Sequence, residues 1–328
     1  MNQKIDFVGA PVCVIGNVNR DVKVLGVPGS PEILHDGETS VSGIVETIGG
    51  GAANSACAAA SLGANVRFVG VVGADSLADR LRHAMEKHGV RTYLTEKPEV
   101  ETGTTVALGF GTGQRHFLSC LPNNRSLAFD DLDLSALDGC AHLLRADVWF
   151  SESMLEYGNR RLLAEARRRG LPTSLDINFD PCWSTGSVTE IARRKQQLRQ
   201  VLSFVDLAHG NIRELCEFTD TAELKEALHR LVEWGVKAVV VHMGAEGAGH
   251  FTNGELMVEP PDFANNPVQS TGTGDVLSMC MILLQQRDDL SIGQKLRFAN
   301  GVVRDFMEGR RQLIASLSEG RAPRGPEK

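Results

Sequence analysis

Short apolar runs alternate along the chain with longer segments of helical period. VCVIG (12–16) is followed by NSACAAASLG (54–63), VRFVGVVG (66–73) and DRLRHAMEKHG (79–89); later come RRLLAEARRRG (160–170), TSLDIN (173–178), ELKEALHRLVEWG (223–235) and AVVVHMG (238–244). The valine-rich runs are short enough for strands buried on both faces. The longer segments carry their apolar positions three and four apart, as helices covering a sheet do. The pattern predicts an α/β fold with a mostly parallel central sheet flanked by helices. Gly63, Gly89, Gly170 and Gly235 each follow a helical segment and precede a strand, where left-handed C-caps are expected.

Two stretches break the alternation, about 22–48 and about 101–122. There the β-like runs VKVLGV, TTVALGFGT and RHFLSCL occur with no helix between them. They are expected to pair as a small antiparallel sheet standing off the main layer, a lid over a substrate. Residues 1–308 then form one domain. The segment 309–328, ending in EGRAPRGPEK, is expected to be a partly disordered tail.

With 328 residues, 42% of them hydrophobic, the chain can bury a large core. The formal net charge of −7 leaves no basic footprint for nucleic acid. Asp6 and Pro11 interrupt the first apolar stretch, which reads as a first strand rather than a leader, and no later run approaches a membrane span. The seven scattered cysteines include no C-x-x-C and fit reduced thiols in a cytoplasmic protein. H-E-x-x-H, G-x-S-x-G and G-x-x-x-x-G-K-[ST] are all absent, so zinc hydrolysis, Ser-His-Asp chemistry and a Walker A loop have no starting point. His242 reads as a packed residue at a strand end.

Candidate chemistry begins at TGTGDVLS (271–278). Gly272 and Gly274 leave backbone N–H groups unshielded at the mouth of a helix expected over Val276–Leu284, where an anion would sit on the positive end of the dipole. Asp275 beside it could accept a proton from a hydroxyl attacking phosphorus. A plain loop-to-helix junction with an acid in the first turn reads equally well from these residues alone. The second cluster is TIGGGAANSACAAASLG (47–63), where glycines lead into an alanine-rich helix with Asn54 one turn in. Tight helix packing explains the alanines but not three consecutive glycines. G-x-G-x-x-G is not matched, because Asn54 takes the last glycine position.

Together, GGGAANSACAAASLGANVRFVGVVGADS and STGTGD resemble the two signatures of the PfkB, or ribokinase-like, family of sugar and nucleoside kinases, over about residues 12–306. The resemblance implies the ribokinase-like fold, with ATP and Mg²⁺ as cofactors. It implies Asp275 as base and the backbone of Gly272, Thr273 and Gly274 as the anion hole. GNVNRD (16–21) is similar to the GxxNxD element, implying Asn19 and Asp21, with Gly49, Gly50 and Asn54, as acceptor ligands. FSESM, following a strand expected at Asp147–Phe150, places Glu152 at the family's substrate-side glutamate. SLDINFDPCW resembles D-x-N-x-R-P-x-x-W, bringing Asp176 and Asn178 near the phosphate path. HGNIRE matches N-x-x-E, implying Asn211 and Glu214 around magnesium, although a helix N-cap followed by an N3 glutamate draws the same pattern. VVVHMGAEGAG implies Gly244 and Gly247 along the nucleotide, and RFANGVV implies Asn300 on the adenine side.

Several positions depart from the family. Gln269 stands where potassium-activated members have aspartate, which argues against a monovalent-cation site. Gly51 replaces a lysine, Asp180 an arginine, and Leu277 and Met279 a phenylalanine and a glycine. The exchange of charge at Asp180 speaks for a neutral acceptor. The expected protein is a sugar kinase forming a homodimer through the lid. A nucleoside kinase differing around Asp21, Thr105 and Phe117, or a binding protein that has lost catalysis, are the other readings.

Overall fold

The structure, a computed structural model, describes residues 7, 9–29, 35–110, 114–265, 267 and 271–317. Thirteen strands run in chain order: β1 (Val12–Ile15), β2 (Asn19–Val27), β3 (Gly43–Gly49), β4 (Val66–Gly73), β5 (Val90–Lys97), β6 (Thr104–Phe110), β7 (Arg115–Cys120), β8 (His142–Arg145), β9 (Thr173–Asp176), β10 (Leu207–Asn211), β11 (Ala238–His242), β12 (Ala248–Thr252) and β13 (Glu255–Glu259). Nine build one sheet in the order β13-β12-β11-β10-β9-β8-β1-β4-β5. All its pairings from β11 to β5 are parallel; β12 and β13 add an antiparallel edge.

The mostly parallel sheet and its flanking helices agree with the sequence pattern. β1 and β8 are buried from end to end and β4 at every position but Arg67, as valine-rich runs covered on both faces must be. One face carries the helices Gly51–Ser61, Ser76–Lys87, Thr273–Leu283 and Ile292–Met307; the other carries Asn159–Arg168, Val188–Arg199, Ile212–Thr219 and Leu224–Glu233. Ala52, Ala53, Ala56, Ala58 and Ala59 are wholly buried, so the Gly51–Ser61 helix lies close on both the sheet and the Thr273–Leu283 helix. The four expected C-cap glycines all have positive φ.

The chain order reverses at β1, which lies between β8 and β4 although its successors in sequence lie elsewhere. Such a switch point leaves a crevice at the carboxyl ends of the strands, where open α/β sheets take their ligands. The residues just beyond β1 and β8, Asn17 and Asp147, meet there.

Three expectations need correction. The lid sheet, order β3-β2-β6-β7, is mixed rather than antiparallel: β2–β3 and β6–β7 are hairpins, but β2 and β6 pair in parallel. Leu313, Ile314, Ala315 and Leu317, assigned to the tail, are buried; Ile48 donates to Ala315 and Leu317 to Glu46, which covers the outer edge of β3. Residues 318–328 lie outside the described residues. Finally, Asp147–Phe150 is not a strand: β8 ends at Arg145, and Asp147 sits in the following loop at φ 56°.

Candidate active site

The site forms where β1, β8, β9 and β10 end beneath the lid. At the start of β2, the Asn19 side-chain amide donates to Asp21 Oδ1 at 2.9 Å, and both residues are buried. Burial of Asp21 pushes its pKa up to about 6 against the lowering by Lys23 and Asn19. The glycines at 49–51 turn the chain from β3 into the Gly51–Ser61 helix. Gly50 sits at φ 94°, and a Cβ there would collide with the Asn17 carbonyl, so only glycine can make this entry.

Asp147 was absent from the sequence-derived set, and it holds this corner together. Its Oδ2 accepts the backbone N–H of Asn17 (3.1 Å) and Ala52 (2.8 Å), and its Oδ1 that of Gly51 (3.2 Å). Two of these donors belong to the first turn of the helix, which has no side-chain cap of its own. Asn178, itself at φ 44°, accepts the Asp147 N–H at 2.8 Å and so supports Asp147. In the sequence Asp147 stands only as an acid two residues beyond a buried strand, with nothing local to mark its role.

The Thr273–Leu283 helix starts three residues earlier than expected. Gly272 at φ 89° is its N-cap, and no side chain caps it, leaving its mouth suited to an anion. A Cβ at Gly272 would lie 2.7 Å from Ile314 Cδ1, and one at Gly274 would lie 3.0 Å from His242 Nδ1, so bulk at either position would disturb the cradle. His242 Nε2 is 3.0 Å from Ser278 Oγ, a packing role at a strand end as expected. Met279, a departure from the family pattern, is fully buried.

Asp275 stands in the first turn of this helix. Asn54 Nδ2 donates to its Oδ2 at 3.0 Å, across from the Gly51–Ser61 helix, while Asn54 Oδ1 is buried without a partner. Burial is the main cause that raises the Asp275 pKa to about 7, with Asp147, Glu214 and Asp21 adding negative potential and Asn54 opposing. Burial likewise pushes Asp147, Asp176 and Glu214 upward, and Asp176 feels the charges of Glu214, Asp275 and Asp147. Five acids thus converge on one crevice, an arrangement that invites a cation and favours protonation of at least one member.

The remaining expected residues divide. Asn211 and Glu214 form a reciprocal capping box, with Asn211 N donating to Glu214 Oε2 (2.8 Å) and Glu214 N to Asn211 Oδ1 (2.9 Å). The helix N-cap reading of N-x-x-E is therefore present, and the charge of the same glutamate also acts on Asp176 and Asp275. Gly244 and Gly247 lie in the turn between β11 and β12. Asn300 donates to the carbonyls of Glu259 and Pro260, tying its helix to the chain beyond β13.

Glu152 is not brought to the acceptor cluster. It is exposed and paired with Arg193 at 2.7 Å and with Arg194, leaving Asp147 as the acid at the switch point. Asp180 is also turned inward: its carboxylate is 1% exposed and pairs with Arg194 Nε at 2.7 Å. Its charge is matched inside the protein, so it says nothing about the acceptor's charge. Gln269 lies outside the described residues.

A family model described as pfkB family carbohydrate kinase matches residues 10–300. A ribokinase of Arabidopsis thaliana is 26% identical over 289 residues, covering 84% of this chain and 70% of its own. A fructokinase of Vibrio alginolyticus is 23% identical over 247 residues, covering 74% and 77%. Among solved structures, an E. coli protein described as a ribokinase II in complex with ATP and Mg²⁺ superposes with a TM-score of 0.77 at 21% identity, covering 92% of this chain and 93% of its own. The match spans both glycine-bearing elements and the crevice between them, and the chain belongs to the pfkB family of carbohydrate kinases, phosphotransferases whose acceptor is an alcohol.

Proposed function

We propose that this protein is an ATP-dependent sugar kinase that phosphorylates a hydroxyl, with Asp275 as general base. The observation that carries the reading is the placement of a carboxylate with a pKa near 7 in the first turn of an uncapped helix, held by Asn54 and facing the Asn19–Asp21 pair's crevice. Bound Mg·ATP supplies the phosphoryl group and a divalent charge to offset its oxygens.

The chain supplies the rest. Backbone donors at Gly272, Thr273 and Gly274 meet the phosphoryl oxygens, where one such donor contributes about 3–4 kcal/mol in comparable oxyanion sites. Asn19, Asp21 and the Asn54 oxygen left without a partner hold acceptor hydroxyls. Asp275 takes the proton from the attacking hydroxyl. No three acids, histidines or cysteines among the described residues come close enough to cage a metal. Glu214 would hold Mg²⁺ through its water shell, as this ion's reluctance to dehydrate allows. Gly244, Gly247, Asn178 and Asn300 frame the nucleotide side.

The test is a coupled ADP-release assay over sugars and nucleosides, run beside thermal stabilisation by Mg·ATP. The reading requires stabilisation by Mg·ATP and ADP release that depends on a sugar. Stabilisation without ADP release from any acceptor would leave only a binding protein.

The lid also offers a surface for pairing. On its face away from Asp21, Ile44 is 64% and Leu118 54% exposed. Among the described residues the β7 edge remains open, whereas β3 is covered by the chain's own Ala315–Leu317. We therefore expect a homodimer at micromolar concentration, converted to monomer by Leu118→Glu; light scattering that gives a monomer for the unaltered chain contradicts this. The seven free cysteines and the want of any helix long and apolar enough to cross a membrane among the described residues support a cytoplasmic setting.

A further inference from the structure

Strand register sorts the lid's side chains into two faces. Asp21 lies opposite Thr105, and Thr105 opposite Ser119; one row further out, Lys23 lies opposite Ala107, and Ala107 opposite Phe117; in the next row Gly109 lies opposite Arg115. Side chains alternate between faces along a strand, so Lys23 and Arg115 stand on the face that carries Asp21 into the crevice.

Among the described residues neither cation forms an ion pair. Asp21, whose Oδ1 accepts from Asn19, is the carboxylate whose charge Lys23 feels, but among the described residues Lys23 forms no ion pair with it. Lys23 is partly buried, and its desolvation is the main cause that pushes its pKa down; the charge of Asp21 opposes this, and the Arg115 guanidinium adds a smaller push downward. Arg115 extends from β7 to Thr271 Oγ1 at 2.5 Å, beside the N-cap of the Thr273–Leu283 helix. Two like charges on one face of the lid, Lys23 partly buried and Arg115 exposed, favour a ligand anion between them.

From this geometry we infer that the acceptor carries its own anionic group, a carboxylate or phosphate, seated between Lys23 and Arg115 on the lid. This rests on the kinase reading and names its substrate class. The crevice is then polar from end to end. Asp21 and Asp275 accept hydroxyls at the floor, while the lid cations draw the charged end outward. A charged acceptor is thereby oriented with a hydroxyl at Asp275, remote from its anion. The inference departs from the neutral acceptor suggested by Asp180, whose charge Arg194 cancels.

The experiment uses acceptor pairs that differ by one anion: fructose with fructose 6-phosphate and fructose 1-phosphate, and glucose with gluconate. Binding is read by calorimetry without nucleotide, and turnover by ADP release. The charged member of at least one pair should bind and turn over with kcat/KM at least tenfold above its neutral partner. Lys23→Met and the exposed-site Arg115→Met should each lower that ratio tenfold or more, at 0.05 M and less so at 0.5 M salt.

No preference for a charged member in any pair overturns the inference, and it leaves the kinase reading intact if neutral sugars release ADP. An equal rise in the KM for ATP with every acceptor would also overturn it, by placing both cations on the nucleotide's phosphates. Charged acceptors that bind through Lys23 yet release no ADP would support the inference while removing the kinase reading.

Discussion

Asp275→Asn is expected to lower kcat by about 10²–10⁴-fold, the range that a positioned general base supplies, while Mg·ATP and acceptor binding change little. The substitution keeps the shape of the side chain and one oxygen, but it removes the proton acceptor. Asn54 Nδ2, now 3.0 Å from Asp275 Oδ2, can still donate to the oxygen of an asparagine. The unaltered enzyme should show an acid limb in kcat/KM: with a pKa of about 7, the base is protonated below neutrality, so activity falls as pH drops through 7 and levels above it.

The stability sign runs the other way. The folded chain holds a proton on Asp275 that the unfolded chain releases near pH 4, so stability is lost as pH rises from about 4 to about 7. Above pH 7 the asparagine variant should therefore be the more stable protein, by on the order of 2 kcal/mol after solvent screening is allowed for. Melting temperatures of both proteins at pH 5 and pH 8 check this. A variant that matches the parent in turnover, or that is less stable at pH 8, would contradict the assigned role.

The second large effect is expected at Asp147. Its two oxygens receive three backbone N–H groups, from Asn17, Gly51 and Ala52. Asp147→Asn replaces one acceptor with an NH₂ group facing buried donors. Each amide left without a partner costs about 1–3 kcal/mol, so a total of about 2–4 kcal/mol is expected. The same amides fix where Gly50 and Gly51 turn beneath the acceptor, so acceptor KM should rise about tenfold at least, with a smaller change in KM for ATP. Denaturant titration together with acceptor kinetics gives both numbers. Unchanged stability would mean that the amides do not depend on this carboxylate.

What could be read from the sequence follows from how local each feature is. The valine runs, the C-cap glycines and the loop TGTGD act through neighbours within a few residues, and the parallel sheet and helix mouth appear as expected. Asp147 could not be identified in that way, because its role depends on β8 lying beside β1, a pairing across 130 residues. The parallel contact of β2 with β6 is equally remote, and local alternation suits either direction of pairing. Glu152 and Asp180 were misjudged for one shared reason. The helix carrying Arg193 and Arg194 packs against both, and nothing near either acid in sequence announces those partners. Leu313–Leu317 was lost to the charged residues around it, though its own alternation with Ser316 suits a strand edge.

The central claim is that the helix mouth at Gly272–Asp275 receives the phosphoryl group next to the Asp275 carboxylate. A crystal structure of the Asp275→Asn protein with Mg²⁺ and a non-hydrolysable ATP analogue tests it most directly. The account predicts the terminal phosphate within hydrogen-bond reach of backbone N–H groups at 272–274, with the side chain at 275 facing the Asn19–Asp21 side. A nucleotide bound with its phosphates turned away from that helix, or a 275 side chain directed into the core, would contradict it.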